Sequence, residues 1–333
     1  MGYLRFTTML LLALISIVGS SFAQAQAQAT DFNSWLKDVK KQALAQGISS
    51  DTLDSALADL QPLPKVLELD TRQPETTLTF DAYLARTVTP SRIEKGRELI
   101  KQHKSLLTKI SKKYHVPAHY IVALWGIETD FGKRTGGFSV INALATLAYD
   151  GRRASYFRGE LLHALHVIDE GHIKAQAMSG SWAGAMGQNQ FMPSTFRHFA
   201  VDYDGDGRRD IWNTLPDVFA STANYLASSG WRGNQTWGRE IRLPANFDKK
   251  LIGIGVSKKL SAWRQLGVRS VNGKPLPRAK FLASVVIPGQ AGDGTRAFLV
   301  YQNFHTLLQW NRSSYFATSV GSLADAIEPN RTR

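Results

Sequence analysis

Ile121–Gly132, IVALWGIETDFG, read together with Gly180–Phe196, GSWAGAMGQNQFMPSTF, decides how this chain is built. The first stretch is an apolar helical run with a single carboxylate, Glu128, near its end, and Gly132 is the expected stop. A carboxylate in apolar surroundings has its charged form disfavoured, so its pKa rises and it can donate a proton near neutral pH. The second stretch is a turn rich in Gly, Gln and Ser, able to lay backbone and amide groups beside a sugar. A proton donor of that kind is what cleavage of a glycosidic bond requires. The two stretches together point to carbohydrate chemistry.

The N-terminus reads as a targeting segment. Arg5 supplies a positive start, Met9–Val18 is apolar but too short to span a bilayer, and small residues follow at Ala23 and Ala25. Residues 1–23 are therefore expected to be a signal peptide and 24–30 a low-complexity tether. A retained anchor is the rival reading of the same residues. With no cysteine in the chain, acylation on an N-terminal Cys is excluded and so are disulfides. The expectation is an exported, soluble, periplasmic protein that is not a lipoprotein. Its formal charge of +13 would attract a polyanion. Export makes anionic wall polymer the expected partner rather than nucleic acid, and no membrane span is expected after residue 23. Hydrophobic residues make up 43% of the chain, enough for a packed core.

The fold class expected is mainly α, with a helical lobe over 31–110, a core over 111–234, a small β lobe over 235–302, and a last helix over 303–329 returning to the core. Apolar spacing predicts helices over Phe32–Gln46, Ser50–Leu60, Thr77–Val88, Pro90–Tyr114, Phe138–Tyr149, Arg152–Gly171, Pro193–Ala200, Leu215–Ser229 and Phe304–Ile327. Another opens at Pro117. Three prolines mark Gln61–Glu75 as an extended connector. Short apolar runs between turns predict strands at Glu240–Leu243, Val268–Val271, Phe281–Ile287 and Ala297–Tyr301.

Glu128 and Asp130 are two residues apart, so on a helix they face different ways and cannot act as paired carboxylates unless the helix has already broken. Spacing alone leaves Glu128 open between a catalytic acid and a last-turn ion-pair partner. A second signal is Asp202–Asn213, DYDGDGRRDIWN. Asp202, Asp204 and Asp206 stand at positions 1, 3 and 5 of an EF-hand-like loop, with Gly207 at the turn and Asp210 at position 9. Arg208 at position 7 would offer its backbone carbonyl, and position 12 is Asn213 instead of the usual Glu. Ca²⁺ binding and a merely solvated acidic turn are the two readings. His163 and His166 stand one helical turn apart, most simply on a polar face, and the basic stretch Lys95–Lys113 reads as a solvated helix face.

GIETDFG, ALATLAYDGRRASYFRGELLHAL, SGSWAGAMGQNQFMPSTF and the acidic loop after them resemble the membrane-bound lytic transglycosylase B family, peptidoglycan-cleaving enzymes with a lysozyme-like core. The resemblance runs from about Phe80 to Ile327. It implies that Glu128 is the sole catalytic acid/base and needs no cofactor, that the substrate's acetamido group assists, and that the product carries a 1,6-anhydromuramyl end. It further implies sugar contacts from Ser181, Gln190, Tyr83, Tyr225 and Asn311. A structural Ca²⁺ would be held by Asp202, Asp204, Asp206, the Arg208 carbonyl and a later acid, Asp217. At Trp310 and Phe316, members of the family can carry tyrosine. A hydrolytic muramidase with the same site and a non-catalytic peptidoglycan-binding protein are the rival functions.

Overall fold

The computed structural model describes residues 31–71, 78–150, 152–233, 235–289 and 296–328. The expected signal peptide and tether lie outside the described residues. In chain order come α1 (31–45), α2 (Ser50–Leu57), α3 (Pro64–Thr71), α4 (Phe80–Thr87), α5 (Pro90–Gln102), α6 (Lys104–Tyr114) and α7 (Ala118–Thr129). Then follow β1 (Phe138–Ser139), α8 (Val140–Asp150), α9 (Ala154–Asp169), β2 (Ser179–Gly180), α10 (Pro193–Phe199) and α11 (Leu215–Ser228). The last part holds β3 (Gly238–Arg242), β4 (Lys258–Lys259), α12 (Leu260–Gln265), β5 (Arg269–Ser270), β6 (Leu282–Val286), β7 (Ala297–Val300), α13 (Gln302–Trp310) and α14 (Ser314–Ile327). Among the described residues, no helix is long and apolar enough to cross a membrane.

These elements form two compact units, each assembled from separated stretches of chain. One takes the residues up to Thr71 together with Gly137–Ala185. Its centre is α8 packed on α9, with α3 on the first and α2 on the second. At the end of α3, Asp70 is buried, which raises its carboxyl. Arg152 at 2.6 Å and Arg153 at 2.7 Å outweigh that burial and hold the group below its ordinary range.

The second unit takes Arg72–Gly136 and the chain from Met186 onward. It is organised around α7, which is buried continuously from Tyr120 to Gly126 and again at Thr129. A helix apolar on all sides has to sit inside a core, and α14, α5, α11 and α6 pack around it. Each Leu, Ile or Val so enclosed contributes about 1.5–3 kcal/mol. Gly126 lets α14 approach: a Cβ there would lie 2.8 Å from the Phe131 ring and 3.4 Å from Leu323. Beside this bundle lies an antiparallel sheet in the order β4-β6-β7-β3-β5, with Glu240 opposite Phe298 and Val285 opposite Leu299. The buried Trp263 of α12 packs in the core of that sheet and donates its indole N–H to the Ala283 carbonyl.

Several boundaries differ from those expected. Gln61–Glu75 is not an extended connector throughout. Pro64 occupies the first position of α3, where its missing N–H leaves no bond unmade. The single helix expected over Pro90–Tyr114 breaks at His103, whose backbone (φ −101°, ψ 22°) leaves the helical region. Phe304–Ile327 is two helices, the second capped by Ser313, which accepts from the Phe316 N–H. Pro117 is the N-cap of α7, and the helix stops at Thr129, before Gly132, because Asp130 and Phe131 already adopt positive φ of 51° and 61°. The helix α12 and the strand β4 were not anticipated.

Candidate active site

Glu128 is the penultimate residue of α7, where the buried helix emerges from the core. It is half-buried, and the dense protein around it pushes its carboxyl up to about 7. One hydrogen bond opposes that shift: Trp310 Nε1 donates to Glu128 Oε1 at 2.6 Å. Trp310 ends α13, and its ring is fixed by Tyr225 of α11, edge-on with centroids 4.7 Å apart, and by Phe191 at 5.2 Å. Tyr225 packs in turn on Phe199 at 4.7 Å, and burial raises its hydroxyl pKa. Asp130 lies past the end of α7, at φ 51°, and pairs with Arg92 of α5 at 3.3 Å.

The turn after α7 is held by Gln188. Its side-chain carbonyl accepts from Trp125 Nε1 at 2.8 Å, and its amide nitrogen donates to the Trp212 carbonyl at 2.8 Å. Thr129 Oγ1 donates to the Gln188 backbone carbonyl and accepts from the Gly132 N–H. Gly132, at φ +83°, has to be glycine, since a Cβ there would lie 2.3 Å from Gln188 Oε1. The acid-bearing helix is thereby tied to the segment that ends the acidic loop.

In that loop, oxygens of Asp202, Asp204 and Asp217 all lie within 4.8 Å of one another. Asp217 is fully buried in the first turn of α11, and that burial pushes its carboxyl up to about 6. The N–H groups of Tyr203 and Asp210, each at 2.8 Å, oppose the rise, while the charges of Asp204 and Asp202 add to it. Three converging carboxylates, one of them buried, are a donor set that fits a hard divalent cation such as Ca²⁺. Asp206 accepts from the Arg208 guanidinium at 2.9 Å. Asp210 accepts from the N–H groups of Trp212 and Asn213, closing the next turn.

Residues 31–325 match the family model described as the transglycosylase SLT domain. The chain belongs to this family. Membrane-bound lytic murein transglycosylase B of Escherichia coli K12 is 29% identical over 299 residues, covering 87% of this chain and 81% of the relative. SltB3 of Pseudomonas aeruginosa, solved with NAG-anhNAM-pentapeptide, is 45% identical with a TM-score of 0.85, covering 90% of this chain and 80% of that one. The E. coli lytic transglycosylase Slt35, solved with calcium, is 28% identical with a TM-score of 0.74, covering 90% of this chain and 92% of that one. The resemblance read from the sequence is thus borne out, as is the mainly helical, lysozyme-like fold class.

Within this transglycosylase fold, the residues expected at the site divide into groups. Glu128 and Tyr225 come together, joined through Trp310. Gln190, at a positive φ of 52°, spends its amide nitrogen on the carbonyls of Thr135 and Gly187. The ring of Tyr83 packs on Tyr315 at 5.5 Å. Asn311 follows Trp310 and accepts from the Ser313 N–H at 3.0 Å. Ser181 belongs to the other unit, where its hydroxyl accepts from the N–H groups of Ala183 and Ala185. Two roles were not legible in the sequence: the bond from Trp310 to Glu128 and the bridge made by Gln188. Trp310 is 182 positions from the acid it holds, beyond any local pattern. Gln188 lay inside the GQNQ run, where nothing local separates it from its amide neighbours.

Proposed function

We propose that this lytic transglycosylase cleaves the bond between N-acetylmuramic acid and N-acetylglucosamine without consuming water, with Glu128 as its single acid/base. The observation that carries the reading is a half-buried carboxyl pushed up to about 7, with the neighbouring Asp130 committed to Arg92. Such a group is protonated in a useful fraction near neutral pH and can hand its proton to the leaving glycosidic oxygen. The 2-acetamido oxygen of the muramyl sugar then attacks its own C1 as the bond breaks. Glu128, now a carboxylate, takes the proton from the C6 hydroxyl, whose oxygen displaces the acetamido oxygen and closes the 1,6-anhydro ring. Substrate assistance of this kind is how one carboxylate suffices where most glycosidases need two. The NAG-anhNAM-pentapeptide in the P. aeruginosa relative supports a product of that type.

Tyr225, Tyr83, Asn311, Gln190 and Ser181 are proposed to bind the glycan, aromatic faces stacking on sugar rings and amides matching hydroxyls. Asp202, Asp204 and Asp217, with the Arg208 carbonyl and Asp206, would hold Ca²⁺ in a structural role, in keeping with the calcium complex of Slt35. The expected signal peptide places the enzyme in the periplasm, where its substrate lies.

Digestion of purified sacculi, with products identified by mass spectrometry, tests this reading. Anhydromuropeptides are expected from the wild type and none from Glu128→Gln. Reducing-end muropeptides would replace the reading with a hydrolytic muramidase, and no release by the wild type would leave a binding protein.

A further inference from the structure

We propose that Trp310 is a positioning residue that confines the reactive proton of Glu128 to one oxygen, Oε2. The proposal rests on the assignment of Glu128 as the acid/base. An indole N–H donates and has no lone pair with which to accept. Its bond to Glu128 Oε1, at 2.6 Å, is strongest while that oxygen carries no proton, because a protonated carboxyl oxygen is the poorer acceptor of the two. An O–H on Oε1 turned toward the indole would set two donors against each other. A hydroxyl in the same place could reverse the bond and accept from the acid, so that the proton would be shared between two arrangements. Tryptophan removes that second arrangement.

The device works only if the indole cannot swing away, and its surroundings prevent this. Trp310 is gripped between Tyr225 at 4.7 Å and Phe191 at 5.2 Å, at the last turn of α13. Other titratable groups come from each helix packed on α7. Helix α5 brings Arg92, held by Asp130, and α6 brings Lys113, which lies over the rings of Tyr114 and Tyr203. From α11 come Tyr225 and Asp217, and from α14 Tyr315 and Asp325. None of these moves the Glu128 carboxyl, whose shift has burial and the indole bond as its causes. The consequence for the reaction is that Oε2 does both jobs. It gives its proton to the leaving oxygen, and as a carboxylate oxygen it later takes one from the C6 hydroxyl. Oε1 keeps the indole bond throughout.

The test is the pH profile of kcat/KM on a soluble glycan fragment, which reports the free enzyme's acid. It compares wild type, Trp310→Phe, and enzyme in which position 310 carries 3-benzothienylalanine, the shape of tryptophan with sulfur in place of N–H. Without the donor, nothing favours the ionised carboxyl, so the basic limb moves to higher pH in both variants. With the proton shared between two oxygens, kcat falls about twofold, the share no longer on Oε2, while KM changes little. A basic limb that stays at the wild-type position in the benzothienylalanine enzyme overturns the proposal, and so does an unchanged kcat. That enzyme also serves if Trp310→Phe fails to fold. Full activity in Glu128→Gln would instead overturn the functional reading beneath it. An inactive Glu128→Gln beside an unmoved limb sinks the role of Trp310 alone.

Discussion

At the scale of the residue, Glu128 stores free energy that depends on pH. Its carboxyl ionises near 4.5 in an unfolded chain and at about 7 in the folded one, so the fold prefers the protonated form. The folded-state pKa is raised, hence the stability it supplies is complete below about 4.5 and is lost as pH climbs through about 7. At about 1.4 kcal/mol per unit, the loss amounts to at most about 3.5 kcal/mol. Glu128→Gln keeps an oxygen to accept from Trp310 and carries no charge. Denaturant unfolding across this window should therefore show the variant gaining on the wild type as pH rises. Parallel curves for the two proteins would contradict it. The sequence singled out this residue, since a carboxylate after IVALWGI has few polar surroundings, but its spacing from Asp130 decides nothing once the helix ends at Thr129. It did not announce the bond from Trp310, because a contact spanning 182 residues is set by how α13 returns to α7. Nor did it show that Gln190 would be tied to Thr135 and Gly187, since an amide in a glycine-rich turn has the same composition whether it faces ligand or backbone.

At the scale of the element, the acidic loop and α7 are one mechanical assembly joined by Gln188, with Trp125 at one end and the Trp212 carbonyl at the other. Its weak point is the convergence of Asp202 and Asp204 on the buried Asp217, where like charges repel. A bound cation removes that repulsion, and at a hundredfold excess over its Kd contributes about 2.7 kcal/mol. Adding EDTA should lower the melting temperature of the wild type by several degrees, whereas Asp204→Ala should melt at the same temperature with or without chelator. A wild type indifferent to EDTA would argue against the site. The alternation of Asp202, Asp204 and Asp206 was legible in sequence, whereas Asp217 entered only through the family resemblance, and its carboxyl lies within 4.8 Å of those of Asp202 and Asp204. The turn of Asp206 toward Arg208 was not legible, because it depends on which rotamer the guanidinium finds. Helix boundaries suffered for a related reason. KQHKS around His103 keeps helical composition across a break that packing imposes, and Pro64 reads alike as a helix start or a connector.

At the scale of the whole molecule, the formal charge of +13 adds a long-range attraction to any anionic polymer. Screening shortens that reach to about 8 Å at physiological ionic strength and to about 3 Å at 1 M. Raising salt should slow digestion of whole sacculi more than digestion of a short uncharged glycan, and equal slowing of the two would remove the electrostatic contribution. The broad class was visible in the sequence because helical periodicity dominates the chain. The interleaving of its two units was not, since nothing in composition marks Thr71 and Gly137 as points where the chain changes partner. That interleaving orders the events of folding. The buried Asp70 waits for Arg152 and Arg153, and the Leu63 N–H waits for the Thr146 hydroxyl. A chain emerging N-terminus first thus exposes α1 to α3 through the whole passage of α4 to α7. The first segment made is sealed only once Gly137–Ala185 has followed those four helices, and this is the interval in which a holding chaperone or a protease would meet it.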